Sequence, residues 1–325
     1  MTSPEPFRLH EPLPRLASPV MVAMLTGWID ASGAAAAALA TVEEACAVRT
    51  LATFDGDAFI DYRARRPTME LRAGVNERLI WPEIELKVGA DANGHDVLLL
   101  TGPEPDAAWR RFADVVSDLA VELGVRRAVF LGAYPFASPH TRPPRLSSSS
   151  PSAELIASVP YLKNSVDVPA GMGAVLEHAL VGKGVPALGI WAQVPHYLGT
   201  MTYPTASVAL IEGLGEVSGI TVDTSMLRTE ATIQLERVDQ LVAGNPEHRT
   251  MIGQLEQLYD QATGTTIDPV TGGAIDPAAG ATIGPAAGAT IGPVGEARSP
   301  MSSDPIPSAD ELAAEFERFL RDQTD

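Results

Sequence analysis

"VMVAMLTGWIDASGAAAAALA", residues 20–40, decides the fold class. Val20–Thr26 is an unbroken apolar run, the pattern of a strand buried on both faces rather than on one. Gly27-Trp28-Ile29-Asp30 ends it. A helix is expected at once, over about Ala31 to Val48, with Asp30 or Ser32 as its cap. A buried strand, a glycine turn and an alanine-rich helix in direct succession open a layered α/β fold.

The rest of the chain repeats the alternation. Leu51–Asp55 reads as a short strand. "RRPTMEL" (65–71) and "RLIWPEIELKV" (78–88) read as an antiparallel pair around "RAGVNE", with Pro67 and Pro82 at edges or bulges. "DVLLLTG" (96–102) is a strand and residues 103–124 a helix, with Trp109, Phe112, Val116, Leu119 and Leu123 on one face and Gly124 at its C-cap. "RRAVFLGAYP" (126–135) is the next strand, so a right-handed parallel crossover is expected here. A Pro/Ser-rich loop follows over residues 137–153. Then come a helix over Ala170–Gly184, the strand "PALGIWAQVP" and a helix with Pro204 in its first turn. The expected fold is therefore α/β, with a mostly parallel twisted sheet in a phosphorylase/hydrolase-like layered sandwich.

Four regions are expected. Residues 1–18 form a flexible N-terminal segment. Residues 19–263 form the α/β domain, closing with a helical hairpin at about 223–263. Residues 264–304 contain an eight-residue repeat, marked by Pro269, Pro277, Pro285 and Pro293. Each copy holds only one or two branched apolar residues, too little for a core, so a linker is expected. Residues 305–325 begin with a Ser308/Glu311 capping box and carry Leu312, Phe316, Phe319 and Leu320 on one side, the pattern of a docking helix.

Composition narrows function. The net charge of −18 disfavours nucleic acid and anionic membranes as partners. The single cysteine, Cys46, excludes a disulfide framework and argues against a cysteine-based zinc site. Neither a metal nor a cofactor is expected. The first residues lack the basic-then-apolar order of a signal peptide, and Val20–Ile29 is shorter than the about 20 apolar residues of a membrane span, so a cytoplasmic location is expected. There is no G-x-x-x-x-G-K-[ST], no G-x-S-x-G and no H-E-x-x-H.

Three polar clusters follow predicted strands: Gly27-Trp28-Ile29-Asp30 with Gly33; His140-Thr141-Arg142-Pro143; and Pro195-His196-Tyr197. Ligands of open α/β sheets bind beyond the carboxyl ends of parallel strands. Gly27, Trp28, Asp30, Gly33, His140, Arg142, His196 and Tyr197 are thus candidates for one ligand-binding rim, with Arg142 supplying positive charge. Each also has a plain structural reading: Asp30 as a helix cap, Trp28 as a core plug, His196 as a satisfied histidine. No catalytic residue is singled out.

The order of several segments resembles the actinobacterial branch of the proteasome assembly chaperone 2 family. These are "GWIDASGAAAAAL", "FDGDAFIDYRARRPTMEL", "RLIWPEIEL", "LLLTGPEPDAAWRRFADVV", "LGAYPFASPHTRP", "WAQVPHYLGTMTYP" and the closing "PSADELAAEFERFLRDQ". The resemblance implies a fold like that of purine nucleoside phosphorylases and a homo-oligomer, a trimer. By analogy with enzymes of that fold, the Gly27–Gly33 turn would face an anion. It also implies proteasome assembly, with docking through a C-terminal hydrophobic–tyrosine–any-residue tail. This chain ends "RDQTD", without that tyrosine. Two functions are expected: a non-catalytic assembly or binding factor with a protein partner, supported by the missing nucleophile motifs and the C-terminal docking helix, or an enzyme or ligand-binding protein acting on a small anionic nucleoside or carboxylate, supported by the three polar rim clusters.

Overall fold

A computed structural model describes residues 6–264 and the two short strands Thr266–Ile267 and Ala274–Ile275. In chain order the elements are β1 (Phe7–Leu9), β2 (Val20–Thr26), α1 (Ala34–Ala45), β3 (Arg49–Phe54), α2 (Gly56–Phe59), β4 (Thr68–Arg72), β5 (Val75–Ile80), β6 (Glu85–Ala90) and β7 (Asp96–Pro103). Then come α3 (Trp109–Glu122), β8 (Arg127–Phe136), β9 (Leu146–Ser149), α4 (Ala153–Ala157), α5 (Met172–Gly182), β10 (Ala187–Pro195), α6 (Pro204–Ser218), α7 (Ser225–Ala243) and α8 (Pro246–Thr263). Two compact units divide the chain, Met1–Tyr259 and Asp260–Asp325.

The first unit is built on an eight-stranded sheet of order β1-β3-β6-β7-β2-β8-β10-β9. Its centre, β7-β2-β8-β10, is parallel, and the strands on both flanks are antiparallel. Parallel residue pairs outnumber antiparallel ones, so the mostly parallel layered α/β architecture is as expected. β2 lies inside the sheet, between β7 and β8. Its side chains alternate between two cores. Val20, Val22 and Met24 face α1 and α6, while Met21 and Ala23 face α3 and α5. Both faces are covered, which is why the run is continuously apolar. Ala34, Ala35 and Ala38 are fully buried, and their small side chains let α1 pack closely on the sheet and α6. Ser207 Oγ on α6 donates to the Ala34 carbonyl at 2.8 Å.

Three details differ from the sequence reading. The segment expected to be flexible at 1–18 contributes β1, an edge strand antiparallel to β3, anchored where Phe7 meets Phe54 edge-on at 6.1 Å between ring centroids. Residues 78–88, read as one strand, are two: β5 pairs with β4 in a separate hairpin and β6 enters the main sheet. Pro82 lies between them, where its missing N–H is harmless. The loop expected over 137–153 contains β9, whose serines pair antiparallel with β10.

Of the second unit, the end of α8 and the antiparallel pair β11 (Thr266–Ile267) and β12 (Ala274–Ile275) are described. The rest of the expected linker, and the expected helix with Leu312, Phe316, Phe319 and Leu320, lie outside the described residues. No helix among the described residues is long and apolar enough to cross a membrane, and no group of three or more side chains there could hold a metal ion.

Candidate functional site

The carboxyl ends of β2, β8 and β10 share one rim of the parallel centre, because all three strands run the same way. At the end of β2 the backbone turns sharply. Gly27 has φ +123°, and a Cβ there would come within 2.7 Å of the Arg65 guanidinium. Trp28 is 37% exposed and lies against Gly171, at the start of α5, where a Cβ would come within 2.8 Å of the indole. Ser32 and Gly33 both take left-handed backbone, at φ +63°.

Asp30 sets the chemistry of this turn. Its carboxylate accepts from the Ala35 N–H at 2.8 Å and the Ala36 N–H at 3.0 Å. These are the amides that a helix start offers to a bound anion. The protein's own carboxylate takes them here. Burial pushes the Asp30 carboxyl above its usual range, more than these two hydrogen bonds lower it.

The turn is sewn to the end of β10. The Ser32 N–H donates to the Gly199 carbonyl at 3.0 Å, and Ser32 Oγ donates to the Leu198 carbonyl at 2.8 Å. Tyr197 sits just before these carbonyls. Its hydroxyl accepts from the His140 N–H at 2.8 Å and meets His140 Nδ1 at 2.7 Å. His140 Nε2 lies 3.0 Å from Asp239 Oδ1 on α7. One proton arrangement satisfies every group: the Tyr197 hydroxyl donates to Nδ1, and Nε2–H donates to Asp239. The His140 ring is buried, and burial pushes the Tyr197 hydroxyl well above its ordinary value. The carboxylate–imidazole–hydroxyl order matches that of an acid–base relay, but this phenol stays protonated at neutral pH. It works as a clasp.

The neighbouring residues extend the clasp to α8. Thr141 Oγ1 donates to Glu256 at 2.5 Å, and Arg142 Nη1 pairs with the same oxygen at 3.2 Å. The Tyr259 hydroxyl donates to the Pro143 carbonyl at 2.9 Å. His196 is exposed and stands edge-on to Tyr197 at 5.4 Å.

Of the sequence-predicted rim residues, His140, Tyr197 and His196 therefore meet directly, and the Asp30–Gly33 turn joins them through Ser32. Arg142 is directed to α8 and Trp28 to α5. Sequence reasoning missed Asp239, Glu256 and Tyr259, more than ninety residues from their partners. No local pattern marks them. Ser32, a candidate cap in the sequence, instead bridges two turns.

A cleft of about 510 Å³ opens beside this turn, lined by Ser32 and Gly33, by Tyr203 and Ser207 of the α6 start, and by Gln234 and Arg237 of α7. Gln234 donates its Nε2–H to the Thr202 carbonyl, and its buried Oε1 has no partner among the described residues. A second cleft, about 480 Å³, lies by the β1 edge between Phe7, Tyr62 and Trp81. Cys46 is buried, and burial pushes its thiol up to about 11, which leaves it inert.

The sequence matches the PAC2 family over residues 24–242. Among solved structures, the Mycobacterium tuberculosis protein of unknown function Rv2714 is 32% identical, with a TM-score of 0.73, covering 81% of this chain and 93% of its own. The M. tuberculosis proteasome-assembly chaperone homologue Rv2125 is 30% identical, with a TM-score of 0.67, covering 72% of this chain and 99% of its own. A PAC2 family protein from Streptomyces avermitilis is 32% identical, with a TM-score of 0.65 and the same two coverages. Among curated proteins, none matches. With two thirds of its length inside the family's pattern, the chain belongs to the PAC2 family.

Proposed function

We propose that this chain is a non-catalytic assembly or binding factor, acting in the cytoplasm as a homo-oligomer, a trimer, on a proteasome subunit or a protein of similar kind. One observation carries the reading. The polar groups best suited to rim chemistry are spent on holding the protein together: Asp30 on the α1 amides, and His140, Tyr197 and Arg142 on the helical hairpin. A rim closed in this way presents a shaped surface rather than an acid–base centre. The likeness to Rv2125, described as a proteasome-assembly chaperone homologue, supports a partner of that class. The test is sedimentation velocity of the purified chain mixed with purified proteasome α-subunits. A complex sedimenting faster than either component is expected, and independent sedimentation at tens of micromolar would refute the reading.

A second reading, a small anionic ligand, is favoured by the cleft beside Gly33. It combines the start of α6 with the Arg237 guanidinium, which suits an anion, while the unpartnered Gln234 carbonyl oxygen suits a ligand N–H or O–H such as a nucleoside carries. Calorimetry with phosphate, a nucleoside and a small carboxylate, on wild type and Arg237→Ala, tests it. Heat from wild type that is lost in the variant supports a ligand, and no heat at millimolar concentration removes it.

A further inference from the structure

The cleft of about 480 Å³ by the β1 edge shares no residue with the cleft beside Gly33, and its chemistry is the opposite. Its size is that of a small-molecule pocket. Two of its lining rings stand nearly perpendicular: Tyr62 and Trp81 meet at 74°, with centroids 4.6 Å apart. Phe7 and Phe54, edge-on to each other, add apolar surface. Trp81 is 46% exposed, so much of the indole is open to a ligand. A Cβ at Gly56 would collide with the Tyr62 hydroxyl, so the glycine is what lets the phenol lie over this turn.

Carboxylates surround the rings. Asp55 and Glu83 line the cleft, and Asp57 follows two residues after Asp55. Burial, and then the charges of Asp57, Asp55 and Glu83, hold the Tyr62 hydroxyl above its ordinary value, so all three carboxylates act on this ring. Asp55 Oδ1 accepts from the Asp57 N–H at 3.2 Å. Among the described residues, none of the three acids is in an ion pair. Arg8 is the one cation among the described lining residues, so negative charge is in excess.

Aromatic faces attract cations through their quadrupole, and carboxylates accept charge-assisted hydrogen bonds. A quaternary ammonium, with no N–H, would use the rings alone. A guanidinium uses both: its plane stacks on an indole while its edge pairs with a carboxylate. We propose that this cleft binds the guanidinium of a small organic cation, with the head group against Trp81 and Tyr62 and its N–H groups donating to Glu83 and Asp55. The ligand's apolar stem covers Phe7. This site is independent of the assembly role and of the anion reading above.

Isothermal titration calorimetry on the full chain tests it, with agmatine as a free cation and Nα-acetyl-arginine amide as the mimic of an arginine side chain. Binding of at least one at millimolar concentration is expected. Agmatine alone would assign the site to a free diamine-like ligand, and acetyl-arginine amide, alone or as well, to a head group that a protein can also present; each result supports the site. Tetramethylammonium is expected to bind at least about tenfold more weakly, because it cannot donate to the carboxylates. Glu83→Gln and Trp81→Leu, both at exposed positions, are each expected to weaken binding about tenfold. Circular dichroism checks that both variants keep the wild-type fold, and either one suffices if the other does not fold. No heat from either guanidinium compound would overturn the site. Unchanged affinity in the folded variants would place the binding elsewhere and overturn it too. Equal binding of tetramethylammonium would overturn the assignment to a guanidinium.

Discussion

Replacing Asp30 by alanine removes the acceptor for two backbone amides at the start of α1. Loss of a helix-capping side chain costs about 0.5–2 kcal/mol, and a buried donor left unsatisfied costs about 1–3 kcal/mol. The turn is half-buried, so water can reach one of the amides, and a net cost of about 2 kcal/mol is expected. In a domain of this size, about 1 kcal/mol moves the melting temperature by roughly 2–4 °C, so Asp30→Ala should melt about 4–8 °C lower. Asp30→Asn behaves differently. It keeps one side-chain oxygen as an acceptor and removes the burial cost that pushes the carboxyl up. Its melting temperature should stay within about 3 °C of wild type, a change under ~1 kcal/mol. The alanine variant also exposes an anion site that wild type fills itself. For phosphate at ~10 mM binding with a Kd of ~1 mM, linkage gives about 1.4 kcal/mol of stabilisation. Differential scanning calorimetry in phosphate and in a non-coordinating buffer reads both effects. Equal melting of Asp30→Ala and wild type, or equal response of the two to phosphate, would refute the self-capping argument.

Tyr197→Phe removes the hydroxyl that His140 uses at both its N–H and Nδ1. A loss of about 1–3 kcal/mol is expected, with faster amide exchange in α7, and unchanged exchange there would show that the clasp does not hold the hairpin. Glu177, on α5, is pushed up to about 8 by burial, against a weaker opposing hydrogen bond from Ser149. Between the unfolded value of 4.5 and about 8, the folded state holds a proton that the unfolded state has lost. Its stabilising effect is therefore full below the unfolded value and is lost as pH rises through the folded one, by a few kcal/mol in order of magnitude. Urea titrations at pH 5 and pH 8 should show a smaller loss of stability for Glu177→Gln than for wild type, and equal losses would contradict the assignment.

The sequence made the centre of the fold legible because its signals there are local. Val20–Thr26 must be buried on both faces, and Ala34–Ala38 must lie close to something. The flanks were harder to read. Phe7 is held by Phe54, nearly fifty residues away, and "LSSS" at Leu146–Ser149 becomes a strand only because β10 offers an edge. In the site, the clusters after β2, β8 and β10 were visible from the strand-end rule, and the structure joins most of them. Their partners were not visible. Asp239 and Glu256 look like ordinary surface acids of amphipathic helices until the hairpin folds onto the loop after β8.

The central claim, that the closed rim serves protein assembly rather than chemistry, is tested most directly by following proteasome assembly in time. Purified α- and β-subunits are mixed with and without this chain, and native mass spectrometry counts half-proteasomes and complete particles. The account predicts faster appearance of half-proteasomes and a transient species containing this chain together with α-subunits. Identical time courses with and without the chain, and no such species, would contradict it.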